Sequence, residues 1–465
     1  MLGYNLKIGL LPIRRWIKEP PKRIGIFQSD YAVENKKKTV KYIKERFTDE
    51  ITEFVDIDFL NEEGVLFSEE DCDKVSDYFM RQKIDALFVI NCNFGMENVV
   101  GLVAHKLKLP TLLWGPRDRN FSGGIRYTDT QCGLFAVSKQ LKRANVPFSY
   151  IENCDMESDI FAAGLHKFLA VATMVKNFKN MTILQVGTRI KPFSSIMYNE
   201  LELKEKFNVN VKIFNLAEAV GELEQIYNTR RKELEAYLVW LKNTFDCGDL
   251  SDEYLKKMLA IVYYYEDLAK RNDCNIISGE CWTGITLGWG ANPCLAMCLL
   301  AEKGIYVTCE WDMHMSITNI LLLSATRGKR KPIQGEMTCR NPENDNSELL
   351  WHCGPFPLEY KDEKCKPYLY NTKPSFKLRD GVYTIARFQA EKGKYYLLGG
   401  KVSTCKGPET FGTYMWVEFK DLPKFERKLI EGPYIHHMSE VYGDYTEELK
   451  EFCKYADVLF DPAEE

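Results

Sequence analysis

Short apolar runs alternate with longer amphipathic stretches along the first two thirds of the chain. Residues 7–11, 23–27, 84–90 and 109–114 read as strands. Residues 33–46, the stretch ending at Leu107, 129–144 and 155–178 read as helices, and 115–120 as a loop. Strands separated by one helix apiece imply a parallel sheet with crossover helices. A second round follows, with strands at 181–186, 209–214, 276–282 and 304–309. Its helices fall at 198–207, within the charged stretch 216–272, and from Pro293, and loops at 187–191 and 283–292 follow two of its strands. Residues 317–325 are apolar on every face, the mark of a buried helix.

From about residue 354 the texture changes. Residues 383–387, 394–398 and 413–419 are rich in aromatic and β-branched side chains, and turn signals at Asp380-Gly381 and Gly399-Gly400 separate them. This pattern predicts antiparallel strands. The expected fold is α/β: two parallel-sheet α/β domains, 1–172 and 173–353, then a mostly antiparallel, barrel-like β domain, 354–465, closed by a helix at 445–455.

At 465 residues the chain is too long for one ordinary core, in line with several domains. A net charge of −4 offers no basic surface for nucleic acid, and no apolar run is long enough to span a bilayer. The 15 cysteines form no CxxC pair, and several sit in apolar runs, where Cys acts as a small hydrophobe. That usage fits a reducing cytoplasm, and the N-terminus lacks the pattern of a signal peptide. There is no GxGxxG after a strand and no GxxxxGK[ST], so nucleotide cofactors are not expected.

Candidate chemistry gathers late in the chain. Glu310, Asp312 and His314 follow the strand at 304–309, at the strand end where open α/β folds place their sites. Glu336 follows the basic turn 327–331, His352 ends an apolar run, and His436 and His437 are adjacent. Four of the chain's six histidines fall in or near these motifs, which makes a common site more plausible than any one of them alone. Two carboxylates with one or two imidazoles suit Mn²⁺, Mg²⁺ or Co²⁺, whereas a structural zinc is expected to show a thiolate pattern. Glu310, Glu336, His352 and one of His436 and His437 are the expected ligands. Asp312 and His314 read either as outer partners of those ligands or as a helix cap and first turn. Cys353 beside His352 is set aside as a nucleophile, because neighbours on a strand point to opposite faces. Candidate substrate contacts are Arg14, Arg15 and Asn93 near the first domain's strand ends, and Thr188, Arg189 and Trp282 in the second domain. The arginines favour an anionic or heavily hydroxylated ligand.

Several stretches resemble the superfamily of L-fucose and L-arabinose isomerases. They are Thr308-Cys-Glu-Trp-Asp312, Gly335-Glu336, Trp351-His-Cys-Gly354, Ile435-His-His-Met438, Asn91-Cys-Asn-Phe-Gly95 and Pro110-Thr-Leu-Leu-Trp114. The resemblance implies Glu310 and Glu336 as metal-binding carboxylates, with His352 and His437 completing the set. It also implies two α/β domains and a β domain, a homo-oligomer (often a hexamer) with its site near a subunit interface, and Mn²⁺-dependent interconversion of an aldose and a ketose. In that chemistry a proton moves between C2 and C1 through a cis-enediolate, and two carboxylates facing the sugar are suited to remove and return it. Epimerisation, retro-aldol cleavage and non-catalytic sugar binding are the competing expectations. Pentoses, 6-deoxyhexoses and acid-substituted hexoses, sulfonated ones included, all remain candidate substrates.

Overall fold

The computed structural model describes residues 1–16, 27–119, 121–122 and 124–464. The strand expected at 23–27, except Phe27, and Asn120 of the expected loop lie outside the described residues. Two compact units emerge. One comprises residues 4–176 and 454–456, the other residues 1–3, 177–453 and 457–465.

Five parallel strands form the sheet of the first unit, in the order Thr52–Val55, Leu6–Ile13, Ala86–Asn91, Thr111–Trp114, Phe148–Tyr150. Ala86–Asn91 is buried at every position, as a strand covered on both faces must be. One face packs Phe88 and Trp114 against Phe161 and Leu165, and the other packs Val89 and Leu113 against Phe79 and Val137.

In the second unit a four-stranded parallel sheet has the order Tyr306–Thr308, Ile276–Gly279, Thr182–Val186, Asn210–Phe214. The direction of strand order reverses between Thr182–Val186 and Ile276–Gly279, so a crevice is expected beyond their carboxyl ends. The charged stretch resolves into three helices, Leu216–Thr229, Arg231–Thr244 and Asp252–Asn272.

The β domain is a closed antiparallel barrel. Ile333–Asn341 pairs with Asn344–His352, then follow Thr413–Glu418, Lys394–Thr404, Val382–Glu391 and His437–Tyr442, which pairs back onto Ile333–Asn341. The barrel therefore begins at Ile333, upstream of the change in texture at 354. Its first two strands carry Glu336, Arg340 and Glu348, and these charged positions mask the β pattern. The helix Met313–Ala325 is buried along its whole length, because it packs against the central sheet and against the barrel strands Val382–Glu391 and His437–Tyr442. Among the described residues no single helix is long and apolar enough to cross a membrane.

Candidate metal centre

Glu310 owes its position to a strained turn. The strand Tyr306–Thr308 ends, and Glu310 (φ 62°) and Trp311 (φ 64°) then adopt the left-handed region before the helix starts. Each such non-glycine residue costs about 1–2 kcal/mol, tolerated where the surroundings hold it. Asp312 caps the helix by accepting from the Met315 backbone N–H at 3.0 Å. It also accepts from His437 Nδ1 at 2.8 Å and from Arg387 at 2.6 and 3.2 Å. The two readings of Asp312, cap and outer partner, hold at once. His314 turns instead onto the ring of Phe388, and burial together with the charge of Arg387 pushes it down to about 4.

Glu336 lies mid-strand, opposite His437 on one neighbouring strand and Trp351 on the other. Gly335 makes room beside it, since a Cβ there would sit 2.5 Å from Glu440 Oε1. Across these strands His352 Nε2 is 3.3 Å from Glu336 Oε1. His437 Nε2 is 3.2 Å from Glu310 Oε2 and 3.9 Å from Glu336 Oε1. Ligand atoms of Glu310, Glu336 and His352 all lie within 4.8 Å of one another, as do those of Glu336, His436 and His437.

The electrostatics are those of a buried acid–imidazole cluster. Burial raises the Glu336 carboxyl above its ordinary range, although His352 opposes the shift. Burial works against charge on His352, but Glu336 outweighs it and the imidazole rises to about 10. Burial also opposes charge on His437, and Asp312 and Glu310 nevertheless lift it to about 9. Asp312 stays ionised despite complete burial because Arg387, itself fully buried, and His437 hold it well below the usual carboxylate range. Glu310 Oε2 and His437 Nε2 are buried without a well-aligned hydrogen bond. Lone pairs left so, in a set of two carboxylates and two imidazoles, fit a divalent cation.

The remaining candidates divide. Arg14, Arg15 and Asn93 belong to the first unit, and the arginines have partners there. Arg14 pairs with Glu63 and Arg15 with Glu97, and the Arg15 backbone N–H donates to Asn93 Oδ1 at 2.8 Å. Thr188 and Arg189 follow the carboxyl end of the strand Thr182–Val186, where the Thr188 N–H donates to Glu280 at 2.8 Å. Arg189 Nη1 is buried and unpartnered. Trp282 is 46% exposed and meets Phe193 edge-on, so it is no core residue. His436 is exposed, with its ring 4.4 Å from that of His437.

Three features escaped the sequence reading. Arg387 and Glu440 are charged residues inside barrel strands, which periodicity reads as turn-proximal or solvent-facing. Glu280 is wedged between Gly187 and Gly284, each too close for a Cβ, and the Gly187-Thr188 and Gly279-Glu280 strand ends were its only signal. Cys353, set aside on strand alternation, in fact lies beside His352, with Sγ 3.3 Å from Nδ1. The strand stops at His352 and Gly354 turns the chain at φ 117°, so alternation does not apply there.

Residues 22–179 match the family model described as the N-terminal domain of fucose/sulfoquinovose isomerase. A sulfoquinovose isomerase of Priestia aryabhattai is 24% identical over 84% of this chain and 88% of its own. Another, of Alkalicoccus urumqiensis, is 22% identical over 79% of this chain and 83% of its own. A sugar-binding protein of an Actinobacillus succinogenes transporter, with bound D-allose, is 11% identical and covers 70% of this chain and 93% of its own at a TM-score of 0.17, too slight a likeness to argue from. Over most of its length the chain is thus similar to sulfoquinovose isomerases, and its N-terminal part to the fucose/sulfoquinovose isomerase N-terminal domain.

Proposed function

We propose that this chain is a divalent-cation-dependent aldose–ketose isomerase whose substrate is a sulfonated hexose. The observation that carries the reading is the meeting of Glu310, Glu336, His352 and His437, from separate strands and strand ends, within 3.2–3.9 Å of their neighbours. These four residues would hold Mn²⁺, with Mg²⁺ or Co²⁺ as alternatives. When bound, such an ion stabilises negative charge on two adjacent sugar oxygens.

The chain's own residues move the proton. Glu310 and Glu336 act as the acid/base pair that takes it from C2 of the open-chain sugar and returns it to C1. Burial raises the Glu336 carboxyl above its ordinary range, the direction that favours a group that takes up a proton. Asp312 keeps His437 in the Nδ1–H tautomer, which directs the Nε2 lone pair at the site. Arg189 takes the anionic substituent, since its buried Nη1 lacks a partner at the central sheet's crevice. The names of the relatives, all sulfoquinovose isomerases, support a sulfonate there.

The test incubates the protein and Mn²⁺ with 6-sulfonated glucose, glucose, L-fucose and L-arabinose, and reads products by NMR. We expect the ketose of the sulfonated sugar, lost on chelation. A folded, metal-loaded protein that converts none of these aldoses overturns the isomerase reading. Preference for a neutral sugar overturns the sulfonate alone.

A further inference from the structure

Four cysteines that the sequence scatters between 281 and 353 converge beside His352. Cys281 and Cys309 follow the strands Ile276–Gly279 and Tyr306–Thr308, Cys294 opens the helix Cys294–Glu302, and Cys353 follows the strand Asn344–His352. Cys294 Sγ lies 3.4 Å from Cys353 Sγ, and Cys353 Sγ lies 3.3 Å from His352 Nδ1. Ligand atoms of Cys281, Cys309 and Glu310 lie within 4.8 Å of one another. Ligand atoms of Cys309, His352 and Cys353 all fall within 4.8 Å of one another. All four cysteines are free thiols, three of them buried and Cys353 half-buried.

We propose that this cluster is a second cation site, for a thiophilic divalent ion such as Zn²⁺, held by Cys281, Cys294, Cys309 and Cys353. Isolated buried cysteines are explained as small hydrophobes. Hydrophobic packing does not explain why four sulfurs seek one another and an imidazole. A tetrahedral ion with bonds to sulfur of about 2.3 Å sets its donors about 3.8 Å apart, and Cys294 and Cys353 at 3.4 Å lie close to that spacing.

The two donor sets differ in kind. Glu310, Glu336 and His437 offer hard oxygen and nitrogen, and the cysteines offer soft sulfur, so they select different ions. His352 lies between them, with Nε2 toward Glu336 and Nδ1 accepting from the Cys353 backbone N–H at 2.8 Å beside the Cys353 thiol. The inference touches the proposed isomerase site only through that ring.

Anaerobic titration of the reduced, metal-free full chain with Co²⁺ tests it. The expected result is intense thiolate-to-cobalt charge-transfer bands with the visible bands of a tetrahedral centre. They saturate at one sulfur-bound ion per chain, yield to Zn²⁺ and resist Mn²⁺. The bands vanish in C309S/C353S and persist in C132S/C339S, which removes the two exposed cysteines. Weak octahedral bands alone, or bands that survive in C309S/C353S, overturn the proposal. Should that double variant fail to fold, native mass spectrometry of the unaltered chain decides. One Zn²⁺ retained against excess Mn²⁺ and released by a thiol-blocking mercurial supports the site; retention after blocking, or no Zn²⁺ bound, refutes it. Thiolate bands without sugar turnover leave this inference standing and remove the isomerase reading, and turnover without the bands does the reverse.

Discussion

His437 and His352 reach the same pair of glutamates, but what stands behind each ring differs. His437 Nδ1 is gripped by Asp312, and Asp312 is clamped by Arg387, all three at 2% exposure or less. Arg387 is in turn tied to Gln389 at 2.8 and 3.0 Å. Among the described residues no carboxylate hydrogen-bonds His352 Nδ1: it accepts from the backbone N–H of Cys353 at 2.8 Å and meets its thiol at 3.3 Å. A buried carboxylate fixes the tautomer and orientation of a ligand imidazole and raises its basicity. A thiol does this weakly and leaves the ring open to a second role. One imidazole is gripped by a buried ion pair, and the other stands between two clusters of candidate donors.

The largest effect is expected where the two rings share a partner. Glu336→Gln should lower kcat about 10²–10⁴-fold, with metal content measured alongside to separate chemistry from ligation. Undiminished turnover would deprive both imidazoles of the group that makes them comparable. Next, Asp312→Asn should weaken Mn²⁺ binding about 10–100-fold by calorimetry. It should also destabilise the fold by about 3–5 kcal/mol in urea, because Arg387 is left buried without a counter-charge. Cys353→Ser should cost less than about tenfold in Mn²⁺ affinity, short of the usual range for losing a strong outer partner. If it matches Asp312→Asn, the contrast between the rings is wrong.

The smallest effect calibrates burial without an imidazole partner. Burial pushes Glu348, on the strand that ends in His352, up to about 7 from 4.5, with Arg340 opposing. A carboxyl raised on folding contributes stability that is full below its unfolded value and lost as pH rises through the folded one. Glu348→Gln should therefore raise the melting temperature by a few degrees above pH 7, about 1–2 kcal/mol, and change nothing below pH 4.5. A gain that persists in acid would show that packing and not charge is responsible.

Much of this was legible in the sequence. The alternation of apolar runs and amphipathic stretches foretold both parallel sheets, and the helix Met313–Ala325 announced its burial by lacking a polar face. Glu310, Glu336, His352 and His437 could be grouped because each sits near the end of, or within, an apolar run. The barrel's opening strands were hidden by their charges. Arg387 was invisible because its partner Asp312 is 75 positions away and no local pattern marks a buried arginine. The cysteine cluster was missed for the same reason. Local spacing detects sites such as CxxC, and these four thiols are brought together only by the ends of different strands and one helix.

The barrel's closing strand carries a consequence for biosynthesis. His437–Tyr442 inserts between Ile333–Asn341 and Val382–Glu391, so the ring of strands and the histidine arrive together. A ribosome-bound chain that has emerged only through residue 430 already displays Glu310, Glu336 and His352, yet lacks the last imidazole and the seam that seals the sheet. Such long-range closure is slow relative to local helix formation. On the proposed reading, the nascent polypeptide would complete its donor set only once this strand has zipped into place.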